Sequence, residues 1–299
     1  MIAFLAQGIV SGVVIGLVYA LIALSIVFIY KSTDVANFAG GEVVMIGGYG
    51  ALLALSFFQW HYVFAFILVA AVTFIGGCVF DRAVLDKVLG RSMPGQSIMV
   101  SMVISTIGLS YLLRGLVRVV PYTEQVRRVP PLFAGPPVFL GPVVVQRQDI
   151  AICVIAPLII IAAGAFFRAT LLGKALLATA ENPRAAVLVG IPVKAMRSLV
   201  WGLASSIAAV SGALLAPKLL LTPDMGDIII MAFAAAIIGG LTNLPGCILG
   251  GIILGVVQNL VGLFISSSAM AVAPFVAIML VLVIRPQGLL GGRTAMRKV

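Results

Sequence analysis

Apolar residues run along this chain in long stretches, and polar residues are confined to the short intervals between them. Nine stretches stand out: Gly8–Tyr30, Val43–Gln59, Tyr62–Phe80, Ser97–Val120, Ile150–Phe167, Leu199–Pro217, Ile228–Leu241, Cys247–Ile265 and Ala269–Ile284. Most approach the roughly 20 residues that cross a bilayer as a helix. A membrane barrel would alternate apolar and polar residues over about ten positions, and that alternation is absent. The pattern predicts an all-α integral membrane protein, a polytopic bundle of roughly seven to ten transmembrane segments. Val43–Gln59 and Ile228–Leu241 are short and carry glycines, so they are the candidates for broken or re-entrant segments. The first stretch does not read as a cleaved signal peptide, because no basic residue precedes it and it is too long.

Composition agrees with the pattern. Hydrophobic residues make up 62% of the chain and charged residues 9%, against about 25% charged in soluble domains. The net charge of +10 raises the question of nucleic acid, but its placement points to lipid. Lys31–Asp34, Asp81–Arg91, Arg168–Arg197 and the tail from Arg285 hold 13 of the 19 Lys and Arg residues. The positive-inside rule assigns these segments to the cytoplasm. The N-terminus is then outside and the C-terminus inside a bacterial-type inner membrane. No nucleic-acid partner is expected.

Residues 1–299 read as a single transmembrane domain interrupted by one polar loop, about 168–197. Within it, "GKALLATAENPRAAVLVGIPVKAMR" predicts two short helices. The first covers about Leu171–Ala180. Asn182 then suits an N-cap, Pro183 the first helical position and Gly190 the residue past the end. Glu181 precedes the cap, near the positive end of the helix dipole. Two turns are unstable alone in water, and Ala185, Val187, Leu188, Val189 and Ile191 make the element largely apolar. It must pack on the protein's own helix ends or lie in a groove of a separate protein.

Candidate chemistry is sparse. Glu42 is the charge set deepest in an apolar region, where a charge costs roughly 2.5–3.5 kcal/mol on insertion scales. Asn37 and Glu42 suit either the capping of a helix start or a helix break lining a pathway. Thr242 and Asn243, in "GGLTNLPG", interrupt another apolar stretch and suggest a second broken helix. Asp224 and Asp227 read as solvated or as a docking contact. The proline-rich segment Pro121–Asp149 reads as a lid, a docking surface or a plain loop. Trp60, His61 and Tyr62 suit an interfacial anchor. Cys78, Cys153 and Cys247 all lie in apolar stretches and suggest neither a disulfide nor a metal site. No catalytic constellation is legible, and the nearest approach to a G-x4-G-K-[ST] phosphate loop, Gly173-Lys174-Ala175, lacks its hydroxyl.

The segment "ATAENPRAAVLVGI" resembles the coupling loop of ABC importer permeases of the branched-chain amino acid type, the LivH family. Glu181, Asn182, Pro183, Ala185, Ala186, Gly190 and Ile191 carry the likeness, with Arg184 where the wider importer pattern has Glu. Residues 16–49 are similar to the family's run into Asn-Phe-Ala-His-Gly-Glu, here Asn37, Phe38, Ala39, Gly40, Gly41 and Glu42. Gly40 replaces the usual histidine. "RPQGLLG", residues 285–291, resembles the family's C-terminal end.

The resemblance implies a permease subunit, not an enzyme. It would work with two ABC ATPase subunits that bind the ATP, a second permease chain and an external solute-binding protein. It assigns ATPase coupling to Glu181–Ala186, Gly190 and Ile191. It leaves Asn37, Phe38, Gly41, Glu42, Thr242 and Asn243 as candidates for the solute pathway. The alternative is a self-sufficient transporter driven by an ion gradient, which Glu42 alone supports thinly.

Overall fold

The computed structural model describes residues 2–91, 98–120, 123, 125–133, 135–141 and 143–291. Residues 292–299, with three of the basic residues assigned to the inner face, lie outside the described residues, as do parts of the proline-rich segment.

Every one of the nine apolar stretches contains a helix. In chain order the helices are α1 (Ile2–Thr33), α2 (Gly40–Leu52), α3 (Tyr62–Phe80), α4 (Asp86–Arg91), α5 (Ile98–Val119), α6 (Arg147–Ala169), α7 (Leu171–Glu181), α8 (Pro183–Leu188), α9 (Val193–Leu215), α10 (Ile229–Gly239), α11 (Leu244–Phe264) and α12 (Ser267–Ile284). A widened turn, Leu53–Phe57, prolongs α2, and another, Asp81–Leu85, joins α3 to α4. Among the described residues, eight helices are long and apolar enough to cross a membrane. The protein is an all-α polytopic membrane protein.

The two short stretches behave differently. With its prolonging turn, α2 reaches 18 residues and qualifies as a span. The 11 residues of α10 rise only about 16 Å, roughly half of a 30 Å hydrocarbon core. The described part of the proline-rich segment is not helical until α6 begins at Arg147. It holds a small hairpin in which β1 (Val138–Leu140) pairs antiparallel with β2 (Val143–Val145).

The chain forms two compact units. One contains residues 1–27, 131–157 and 228–299. In it, α1 and α11 meet backbone to backbone: a Cβ on Gly12 would lie 2.6 Å from Val256 Cα, and one on Gly16 would lie 2.7 Å from Ile252 Cα. Small residues permit this approach, which lipid does not drive but packing rewards. Tyr19 donates a buried hydrogen bond to Gln258 across the same pair. Gln7 clamps the hairpin, donating to the Val144 carbonyl and accepting from its N–H.

The other unit contains residues 28–130 and 158–227. Its core is α2 and α3 packed on α9. A Cβ on Gly47 would overlap the Ala209 carbonyl, and one on Gly212 would overlap that of Val44. On α3, a Cβ at Gly77 would sit 2.5 Å from the Trp201 carbonyl. Gly47, Gly77 and Gly212 are thus places of close helix approach, whereas a Cβ on Gly76 would meet nothing. This unit also carries α7 and α8.

Candidate functional site

The polar segment folds as its local chemistry predicts. Thr170 caps α7 by accepting from Gly173 N–H at 2.9 Å. Asn182 leaves helical geometry (φ −149°, ψ 93°) and its Oδ1 accepts from Ala185 N–H at 3.0 Å, with Pro183 next in the first turn of α8. The far end closes with Gly190 at φ 82°, its N–H bonded to Val187 O and the Ile191 N–H to Ala186 O. These two bonds satisfy carbonyls that the last turn leaves open, and they need a residue at ease in the left-handed region. Glu181 closes α7 rather than standing free ahead of the cap.

One face of α8 is used and the rest is bare. Ala186 is 3% exposed, whereas Leu188 is 87% exposed. Val187 and Val189 beside it are exposed too, as are Leu171 and Leu172 on α7. The arrangement is a braced two-turn helix that presents aliphatic side chains.

At the start of α9 stands an ion-pair cluster that the sequence reading missed. Asp81, fully buried at the end of α3, accepts from Arg197 Nε at 2.6 Å and from Ser198 Oγ at 2.5 Å. Arg197 also reaches Asp86 at 3.2 Å, and Lys194 meets the other oxygen of Asp86 at 3.1 Å. The available signal was that Asp81 and Arg197 each stand at the edge of an apolar stretch.

The stretch before α2 is a true helix break. Asp34 has φ 55°, Asn37 Oδ1 accepts from Ala39 N–H, and Phe38 N–H reaches Thr106 Oγ1 at 3.4 Å. Gly40 and Gly41 open α2 and are buried, while Phe38 is exposed. Glu42, 2% exposed, accepts from Arg114 Nη2 at 2.8 Å and Nε at 3.2 Å, both on Oε1. Its Oε2 is buried without a partner. Asp227 meets the same Arg114 Nη2 at 2.7 Å, and Asp224 meets Arg118 at 3.1 Å. Three carboxylates therefore share two guanidiniums. Asp224 and Asp227 are exposed, as expected of solvated carboxylates, and both are also tied to arginines of α5.

Thr242 and Asn243 lie in the other unit. Asn243 caps α11 through Gly246 N–H at 3.2 Å and donates to Leu290 O at 2.6 Å, and Thr242 is exposed. A Cβ on Gly239 or Gly246 would overlap the other's backbone, and one on Gly250 would overlap the Ala235 carbonyl. The chain therefore reverses here between two packed helices, and the interruption is a turn rather than a break within one helix. Among the described residues, no group of three or more His, Cys, Asp or Glu side chains is placed to hold a metal ion.

Residues 8–284 match the family model described as branched-chain amino acid transport system / permease component. The chain is 31% identical over 303 residues to the high-affinity branched-chain amino acid transport system permease protein LivH of Escherichia coli, with 96% of each chain covered. It is 30% identical over 294 residues to the corresponding permease protein BraD of Pseudomonas aeruginosa, with 95% of each covered. The same fold recurs in a solved chain of PsaBC from Streptococcus pneumoniae in complex with Fab. There the TM-score is 0.52 at 13% identity, over 95% of this chain and 92% of that one.

Proposed function

The chain belongs to the branched-chain amino acid transport system permease family, and from that premise we propose that it is the pore-forming subunit of an ABC importer for branched-chain or related small amino acids. Residues 1–299 act as one permease domain. Two ATPase subunits bind and hydrolyse ATP, a second permease chain completes the pore, and an external solute-binding protein delivers the substrate. The N-terminus faces outward and the polar segment faces the cytoplasm.

The observation that carries this reading is α8. A two-turn helix has too few internal hydrogen bonds to hold itself, yet this one is fixed at both ends and leaves its aliphatic tip bare. A short helix with such a tip suits a groove on a partner. Ala186 seats it on the permease, while Leu188 and Val189 face the ATPase. Glu42 and Asn37 line the break on the solute's path.

The test is reconstitution. The chain is purified with its accompanying subunits, placed in proteoliposomes with the binding protein, and assayed for leucine uptake. Uptake that needs ATP and stops when the ATPase subunits are left out supports the reading. Uptake by this chain alone, driven by a proton or sodium gradient, overturns it.

A further inference from the structure

In the unit that carries α7, the ends of three helices meet at a tight elbow. α6 stops at Ala169, Thr170 intervenes, and α7 starts at Leu171. A Cβ on Gly173 would overlap the Phe166 carbonyl, so the first turn of α7 lies directly on the last turn of α6. The Phe167 ring in turn stands edge-on to Phe28 of α1, with centroids 4.7 Å apart. Each of the three helices carries a cation beside these contacts: Lys31 three residues past Phe28, Arg168 next to Phe167, and Lys174 next to Gly173.

Among the described residues, none of the three makes an ion pair, in contrast to Arg114, Arg118, Lys194 and Arg197. Arg168 and Lys174 are exposed, and Lys31 is partly so. Beside them Leu171 is 85% exposed, and Leu172 is exposed as well. The elbow holds these leucines at the depth where the span of α6 ends, so they cannot swing away from the bilayer. The outward face of α6 leads to the same place. Leu158, Ile161 and Ala165 are exposed at helical spacing, and Arg168 takes the next position on that face.

We propose that this elbow is a binding site for an anionic phospholipid of the inner leaflet. The acyl chains run along the exposed face of α6, Leu171 and Leu172 sink into the boundary between chains and headgroups, and the phosphate meets Lys31, Arg168 and Lys174. The proposal rests on the cytoplasmic placement of the polar segment proposed above. Basic side chains at the inner end of a span are drawn to the negative charge of that leaflet, and their stems stay in the apolar layer while their heads reach the phosphates. A zwitterionic lipid offers the same chains but sets its own cation against three others. A groove on an ATPase could take the two leucines only by leaving the plane in which α6 ends. The bound lipid anchors α7, and through Asn182 the helix α8 that follows it.

The test begins with the full chain in neutral detergent, titrated with phosphatidylglycerol and with phosphatidylcholine, with bound lipid counted by native mass spectrometry. One phosphatidylglycerol binds about tenfold more tightly than phosphatidylcholine. Arg168→Gln and Lys174→Gln each weaken it about fivefold, and Lys31→Gln, Arg168→Gln and Lys174→Gln together weaken it about a hundredfold. Melting temperatures without lipid stay unchanged, since none of these cations has a partner to lose. Lys87→Gln, which removes an exposed cation of α4, leaves binding as it was. Equal affinity for the two lipids overturns the proposal. An equal loss in Lys87→Gln also overturns it, by making the attraction a diffuse effect of net charge.

A photo-crosslinking residue at Leu171 then locates the site in the native membrane with the whole complex present. Adducts with lipid are expected. An adduct from 171 to an ATPase subunit or to a second permease chain overturns the proposal and leaves the importer standing. Lipid adducts from 171 without ATP-driven uptake would sink the importer alone.

Discussion

Arg197 Nε lies 2.6 Å from Asp81 Oδ1, joining the first turns of α9 to the end of α3. Only Pro192 separates Ile191, just past α8, from the start of α9. On the importer reading, a push on α8 reaches α9 through the chain and α3 through this pair. Breaking a buried pair by removing one partner costs about 3–5 kcal/mol, because the other charge is left uncompensated. Arg197→Ala is expected to lower thermal stability clearly in detergent. Ser198→Ala, which removes only a hydroxyl from the same carboxylate, should cost about 1 kcal/mol. Equal melting temperatures for Arg197→Ala and the unaltered protein would show that the pair bears no strain or load.

The ends of α8 should matter more to coupling than to folding. Asn182→Ala removes the cap, worth about 1 kcal/mol of local helix stability, and Asn182→Asp keeps it. Gly190→Arg places a side chain at φ 82°, and Ala186→Glu drives a carboxylate under the helix. ATPase stimulation by substrate-loaded binding protein is expected to fall in the Ala, Arg and Glu variants and to persist in Asn182→Asp. Melting temperatures of the isolated chain should move little in Asn182→Ala and Gly190→Arg and fall in Ala186→Glu, whose carboxylate is buried without a partner. Full stimulation in both Gly190→Arg and Ala186→Glu would remove α8 from the coupling path.

Close approach of α2 and α9 depends on Gly47 and Gly212, where an added Cβ would overlap a carbonyl. Gly47→Val and Gly212→Val should each force the helices apart and lower the yield of folded protein. Gly108→Ala, on α5 where an added Cβ meets nothing, should be neutral or stabilise by up to about 1 kcal/mol through helix propensity. Size-exclusion profiles and melting curves of the three variants separate the cases.

Arg114 is shared between Glu42 and Asp227, so a double-mutant cycle reads their coupling. Arg114→Gln strands the buried Glu42 carboxylate and should destabilise by about 3 kcal/mol. Glu42→Gln together with Arg114→Gln should restore part of that loss. Strict additivity would mean that the 2.8 Å contact carries no coupling.

The spans were legible because lipid requires long apolar stretches, a demand that each segment meets by itself. The caps of α8 were legible for a similar reason: Asn182, Pro183 and Gly190 act on their own backbone neighbours. The charge clusters were not. Arg114 is 72 residues from Glu42 and Arg197 is 116 from Asp81, and nothing local marks such partners. Thr242 and Asn243 misled because a Gly-Gly followed by Asn-Leu-Pro-Gly suits a break and a reversal equally. The meeting of Gly239 with Gly246 decides for reversal, and only tertiary packing supplies it.

The most direct measurement places a photo-crosslinking residue at Leu188, in the native membrane, with Ile161 on α6 as an exposed comparison. A light-dependent adduct between position 188 and an ATPase subunit is expected, with none from position 161. Adducts from 188 to lipid or to this chain alone, in membranes where the ATPase still co-purifies, would contradict it.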